Sequence, residues 1–247
     1  MRRIARHDTG MQRIDLWSSG SEVEFRVAGA THAWWHRERF LTGLAWDNLA
    51  AAALLRPAAP PRSVLMLGLA GGTSLRVLRH LLPGVRLTAV DIDPGIIELA
   101  REHMELEALR AKIHLGDAYD WIRQYTGPRF DVVVDDVYQA LDHDVARPGS
   151  WSERTGEVLK SLVAPGGMLV VNLVRGEGHR ALQSEFRRFF RREFPHVCSV
   201  TTPAGLNEAL AGAEALLGQA SLRQWRGHFS TAKDREYWDR IRTKRLG

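Results

Sequence analysis

A chain of 247 residues can hold one full hydrophobic core with a small appendage. Its single cysteine, Cys198, excludes an internal disulfide framework and a thiolate metal cluster, and no apolar run approaches the ~20 residues of a membrane span. The formal charge of +5 is moderate, with arginines gathered in 175–192 and 223–245; these read as solvated helix faces, or else as a basic rim for an anionic substrate. No aromatic-interleaved basic motif points to nucleic acid. The basic start MRRIARHDTG lacks an apolar h-region, so the expected location is cytoplasmic.

Residues 1–56 form an expected N-terminal unit. Ile14–Trp17 and Val23–Val27 alternate apolar and polar across Ser18-Ser19-Gly20-Ser21, the pattern of a β-hairpin. Trp34, Trp35 and Trp46 are expected to pack at the junction with the main domain. His32 and His36 have i,i+4 spacing on a possible helix, but no third ligand lies nearby and no metal site is expected. Leu41–Leu55 has a helical period, and the proline-rich run Arg56–Pro61 is a rigid linker into the first strand of the main domain.

The main domain is expected over 62–213. Val64–Leu67 reads as a strand, Gly68-Leu69-Ala70-Gly71-Gly72 as a turn, Thr73 to about Leu82 as a helix stopped by Pro83-Gly84, and Arg86–Val90 as a second strand ending in Asp91 and Asp93. Strand, glycine turn, helix, strand and acid make a nucleotide-binding βαβ unit. The glycines admit close backbone approach, the helix N-terminus faces the ligand, and the acid can accept from ribose hydroxyls. Asp93-Pro94 opens a helix to about Met104. Lys112–Leu115 is a short strand before Gly116-Asp117, and Ala118–Gln124 a helix. Phe130–Val134 is an apolar strand ending in Asp135-Asp136. Next come a polar loop over Asp142–Ser150, a helix over Trp151–Val163, a turn at Pro165-Gly166-Gly167 and a strand over Met168–Val174. An arginine-faced helix over Gly178–Phe194 and a strand over Val197–Thr202 succeed them. Gly205–Ala213 is ambiguous between helix and strand. Residues 214–247 read as a helical extension, ending in a helix over Lys233–Arg245.

Alternating strands and helices imply a doubly wound, Rossmann-like parallel sheet, with Asp91, Asp117 and Asp136 at strand C-termini, where such sheets bind ligands. Each acid alone is as well explained as a helix cap or solvated turn; three at one edge beside a glycine turn favour a site. The turn fits NAD, FAD or S-adenosylmethionine, and its Gly-x-x-Gly-Gly order weakens the dinucleotide reading.

GLAGGTSLR, AVDIDP, LGDAYDWI, FDVVVDD and APGGMLVVN resemble the successive motifs of class I S-adenosylmethionine-dependent methyltransferases, and more closely those of their spermidine synthase (aminopropyltransferase) branch. The resemblance spans roughly Met11–Ala213. It implies a seven-stranded methyltransferase sheet, a strand at Asn207–Ala213, a small N-terminal β-unit and, commonly for the branch, a homodimer. It implies cofactor contacts from Gly68, Ala70, Gly71, Gly72, Ile92 and Ala118. Asp91 would hold the ribose, Asp117 the adenine amino group, and Asp136 would be the catalytic base beside the cofactor. The chain also departs from the branch. Gly71 stands where the family's first turn has aspartate, only the first acid of the family's next motif survives in Asp136-Val137-Tyr138-Gln139-Ala140, and Trp46-Asp47 replaces a Tyr-His pair. The expectation is an S-adenosylmethionine-dependent transferase, of methyl to a small-molecule acceptor rather than of aminopropyl from decarboxylated S-adenosylmethionine. A nucleoside-binding scaffold and an NAD oxidoreductase are the rivals. An Asn/Asp-Pro-Pro-aromatic motif for adenine-base methylation is missing after the fourth strand.

Overall fold

The computed structural model describes residues 1–57, 59–140, 145–148, 151–203 and 205–246. The N-terminal unit is a four-stranded antiparallel meander, β1 Arg2–Asp8, β2 Arg13–Ser18, β3 Glu22–Val27 and β4 Ala30–His36, in that spatial order. The expected hairpin is its centre, β2 with β3. Ile14, Leu16, Phe25 and Val27 alternate onto its buried face, as a half-buried sheet requires. His32 and His36 lie on strand β4 and not on a helix. Four residues of strand separate them by about 13 Å, too far to share a metal.

Helix α1 runs from Ala45 to Ala53, shorter than the period of Leu41–Leu55 suggests. Two buried carboxylates hold the preceding residues out of the helix. The amides of Phe40 and Leu41 donate to Asp234, and those of Thr42 and Gly43 to Asp47. Four consecutive N–H groups are thereby satisfied by side chains instead of by helical carbonyls.

The main sheet has eight strands. In chain order come β5 Ser63–Leu67, α2 Thr73–Leu81, β6 Arg86–Asp91, α3 Pro94–His103, β7 Lys112–Leu115, α4 Ala118–Gln124 and β8 Phe130–Asp135. They are followed by a short pair β9 Gln139–Ala140 and β10 Val145–Ala146, then α5 Glu153–Ser161, β11 Val163–Val174, α6 Arg180–Glu193, β12 His196–Thr201, β13 Asn207–Ala213, α7 Ala232–Arg240 and β14 Arg242–Leu246. The spatial order is β14-β12-β13-β11-β8-β5-β6-β7. Neighbours among β11, β8, β5, β6 and β7 are parallel, and β13, β12 and β14 complete the sheet antiparallel. One face packs on α1, α2, α3 and α7, the other on α4, α5 and α6.

One ambiguity resolves as the resemblance implies, and two expectations change. The ambiguous Asn207–Ala213 is strand β13, because it is buried on both sides between β11 and β12. The turn at Pro165-Gly166-Gly167 lies inside strand β11 as an irregularity, with Val163 opposite Phe130 and Met168 opposite Val132. The sheet has an eighth strand: the terminal helix stops at Arg240, and Arg242–Leu246 pairs with β12. The extension after residue 213 is therefore not wholly helical. Of the polar loop at 142–150, residues 142–144 and 149–150 lie outside the described residues. No described helix is long and apolar enough to cross a membrane.

Candidate active site

Strand order reverses between β5 and β8, since the chain leaves β5 toward β6 and β7 and then returns to the other side of β5. Such a switch point opens a crevice at the strand C-termini, and Gly68 and Asp136 meet there. The Asp136 amide donates to Leu67 O at 2.8 Å, and a Cβ on Gly68 would lie 2.4 Å from Asp136 O. With φ at +80°, Gly68 is required both by backbone conformation and by close approach.

The turn is held from the next strand. Asp91 Oδ2 accepts from Leu69 N and Ala70 N, each at 2.8 Å, which secures Ala70 at φ +45°. Asp91 Oδ1 accepts from Asp93 N at 3.0 Å. A carboxylate offers about four lone-pair sites, so Asp91 keeps one. It can accept one ribose hydroxyl as it stands, and two only by releasing a loop amide. Beside it, Ile92 is 41% exposed, an uncovered aliphatic face of the kind a purine ring would cover. Gly116 N donates to Asp91 O at 2.9 Å, so the ends of β6 and β7 adjoin. There Asp117 caps α4 through Oδ1, which accepts from Tyr119 N and Asp120 N. The capping reading is thus realised, and among the described residues Oδ2 has no partner. Ala118 is buried in the first turn of α4.

Gly72 is the N-cap of α2, with no side-chain cap and no acid in the first turn. Its first-turn amides are available to an anion. Gly71 is different: a Cβ there would lie 2.4 Å from Met104 Sδ and 2.5 Å from Ala33 Cβ. Its side-chain direction is filled by α3 and the N-terminal meander. The meander is bolted on at two further places. Thr73 Oγ1 accepts from Trp34 N and donates to Trp34 O, while Asp93, capping α3, also accepts from Thr9 Oγ1 and Gln12 Nε2. Trp34 and Trp35 are buried at this junction and Trp46 is half-buried, with Ser74 Oγ donating to its carbonyl.

The two acids ending β8 differ in surroundings. Asp135 is fully buried; Arg147 donates to Oδ1 at 2.8 Å, and the Tyr119 hydroxyl lies 3.3 Å from both oxygens. Burial, with Asp135 next to it, raises the Tyr119 phenol above its ordinary value. Asp136 is half-buried at the crevice, and Asn172 Nδ2 donates to its Oδ1 at 2.6 Å. Burial pushes the Asp136 carboxyl up to about 7, against the pull of Asn172 and Arg147.

Arg147 carries no motif, and Asn172, although it ends the motif APGGMLVVN, is not marked as a site residue by the sequence. Arg147 reaches from beyond β10 to donate also to the Tyr119 hydroxyl, Asp135 O and Asn172 O, and it stacks over Tyr138 and Phe186. The only available signal was an arginine in a stretch flanked by aromatics.

A family model described as a methyltransferase domain matches residues 64–167. The fold is that of the S-adenosylmethionine-dependent methyltransferases, with spermidine synthase-like relatives. An eEF1A lysine and N-terminal methyltransferase homolog of Drosophila melanogaster is 28% identical over 177 residues, 69% of this chain and 26% of the relative. A polyamine aminopropyltransferase of Aeropyrum pernix is 31% identical over 158 residues, 59% of this chain and 49% of the relative. The chain thus spans between a quarter and a half of the length of these curated relatives. A probable spermidine synthase from Corynebacterium glutamicum superposes with a TM-score of 0.76 at 18% identity, over 99% of this chain and 91% of that one. These relatives are transferases, and the cofactor type they support is S-adenosylmethionine or its decarboxylated form.

Proposed function

We propose that this chain transfers a methyl group from S-adenosylmethionine to an amine nitrogen of a small-molecule acceptor. The observation that carries the reading is Gly71. In the aminopropyltransferases that the sequence resembles, an aspartate stands at this position, suited to a bare ammonium. Here Met104 and Ala33 occupy the direction in which any side chain would extend. The uncapped first turn of α2 suits a carboxylate instead. Gln139, neutral, stands where the family's second acid would be, so the acceptor side offers a polycation little charge.

S-adenosylmethionine, when bound, supplies a methyl carbon made electrophilic by its sulfonium. Gly68, Ala70, Gly71 and Gly72 would line the turn against it, Asp91 would take a ribose hydroxyl, Ile92 would cover the purine, and Asp117, with Ala118, would receive the adenine amino group at Oδ2. Asp136 would accept an N–H of the acceptor at Oδ2 and take its proton as the nitrogen–methyl bond forms and the methyl–sulfur bond breaks, the sulfur leaving as a neutral thioether. Its raised proton affinity suits that exchange near neutral pH. The names of both curated relatives, lysine and N-terminal methylation and polyamine aminopropyl transfer, support nitrogen as the accepting atom.

Calorimetry with S-adenosylmethionine and its decarboxylated form, followed by labelled-methyl transfer to simple amines and to protein, tests the reading. S-adenosylmethionine is expected to bind at least as tightly, and label to enter small amines. A strong preference for the decarboxylated form would restore the aminopropyl reading, which the 31% identical relative favours. Label entering protein alone would move the acceptor from small molecule to lysine or N-terminus.

A further inference from the structure

Asn172 on β11 is fixed from four sides. Its backbone carbonyl accepts from the Tyr138 hydroxyl at 2.9 Å and from Arg147 Nη2 at 2.8 Å. It stands one residue past the last β11–β8 partner, Val171 opposite Asp135, so these two donors come from the chain that continues beyond β8. Its side chain bridges Asp136 and Asn207: Nδ2 donates to Asp136 Oδ1 at 2.6 Å, and Oδ1 accepts from Asn207 Nδ2 at 3.1 Å. Asn207 is tied in turn to α1, where buried Asn48 donates to its backbone carbonyl at 3.4 Å.

The row has a direction. An amide has a donating and an accepting end, so Asn207 presenting its N–H₂ obliges Asn172 to offer its oxygen there and its own N–H₂ to Asp136. A lone amide could turn over; one held at both ends cannot do so without breaking two hydrogen bonds. Asp136 Oδ2 and Asn207 Oδ1 have no partner among the described residues, and both residues are half-buried.

We propose that the Asn207–Asn172 amide pair positions the Asp136 carboxyl, holding Oδ1 against β11 and presenting Oδ2 alone to the crevice. The proposal rests on the reading of Asp136 as the group that meets the acceptor, and it makes Asn172 a positioning residue that acts through Asp136. A donor locked onto Oδ1 also favours the ionised acid.

The decisive experiment is a carbon-13 NMR titration of the Asp136 side-chain carboxyl in the full chain, without an acceptor. Asn172→Leu is expected to raise its midpoint by about one unit, a tenfold gain in proton affinity. Asn207→Leu, at a half-buried position, leaves the Asn172 amide free to turn and is expected to raise the midpoint by less. If Asn172→Leu does not fold, Asn207→Leu decides. An unmoved midpoint in a folded variant overturns the proposal. Labelled-methyl transfer to propane-1,3-diamine across pH 6 to 8 separates the two readings. A shifted carboxyl midpoint with a flat rate profile keeps the positioning and removes the base. An unmoved midpoint with turnover lost in Asp136→Asn keeps the base and removes the positioning.

Discussion

Arg147 donates to Asp135 Oδ1 at 2.8 Å in a setting where the two side chains are 2% and 0% exposed. The pair fastens the segment after β10 to the end of β8, one residue from Asp136. Burial works against the charge on Arg147, and Asp135 with the two phenols more than restores it. Removing one partner strands the other charge. Arg147→Met should therefore destabilise the protein by about 3–5 kcal/mol, read as a lower urea midpoint with an unchanged slope. Exchange of both partners for apolar residues should cost much less than either single change.

Gly71 supports a second prediction. Gly71→Ala puts a methyl onto Met104 and Ala33, and overpacking of this kind costs about 1–3 kcal/mol. Ala33→Gly in the same chain should recover part of that loss, which a double-mutant cycle in urea would measure. Gly71→Asp should be less stable still and should gain no affinity for decarboxylated S-adenosylmethionine.

The resemblance implies a cofactor contact from Gly71; that a side chain there would meet Met104, just past α3, and Ala33 on β4 is a tertiary fact that no linear motif carries. The βαβ unit itself was legible, because Pro94 after a capping Asp93, and apolar strands ending in acids, are local signals. The edge strand β14 was not. Three of the five residues of its run RTKRL are charged, and it becomes a strand because β12 offers an open edge on which the charged side chains face solvent and Leu246 packs against the core. Asn172 and Asn207 lie in segments the resemblance covers, but their side-chain roles were not legible, since the meaning of an amide lies in what it touches.

Asp91 supplies the third prediction. Asp91→Ala removes the proposed ribose acceptor together with the acceptor for two turn amides. At about 1.5–3 kcal/mol for a hydrogen bond to a charged group, S-adenosylmethionine affinity should fall roughly tenfold to a hundredfold. Amides 69 and 70 should also exchange faster in the ligand-free protein, as measured by hydrogen–deuterium exchange. Loss of affinity with protection intact would mean that Asp91 serves the ligand alone.

The fourth prediction concerns pH. Burial raises Asp136 and Asp47 from 3.8 to about 7 in the folded protein. Between about pH 4 and pH 7 the folded state therefore keeps protons that the unfolded chain releases, and stability falls as pH rises through that window. The contribution is fully present below about pH 4 and is gone above the folded value. His32, His36 and His80 are lowered by burial and act in the opposite sense, so the raw curve mixes both. The difference between wild type and Asp136→Asn isolates the acid: from pH 5 to pH 8 the variant should gain stability relative to wild type in urea. With Asp136 as the proposed base, the same ionisation would govern turnover, because only the charged Oδ2 can take a proton. Methyl transfer should rise with pH through about 7, and Asp136→Asn should lower it by about 10²–10⁴ with cofactor affinity nearly unchanged. A small loss would leave Asp136 an orienting role, since displacement at a methyl carbon can run on alignment alone. Asp135→Asn is the control. It breaks the Arg147 pair, so its loss of turnover should follow its loss of folding. If it stays folded and loses chemistry while Asp136→Asn turns over normally, the two neighbouring acids exchange roles.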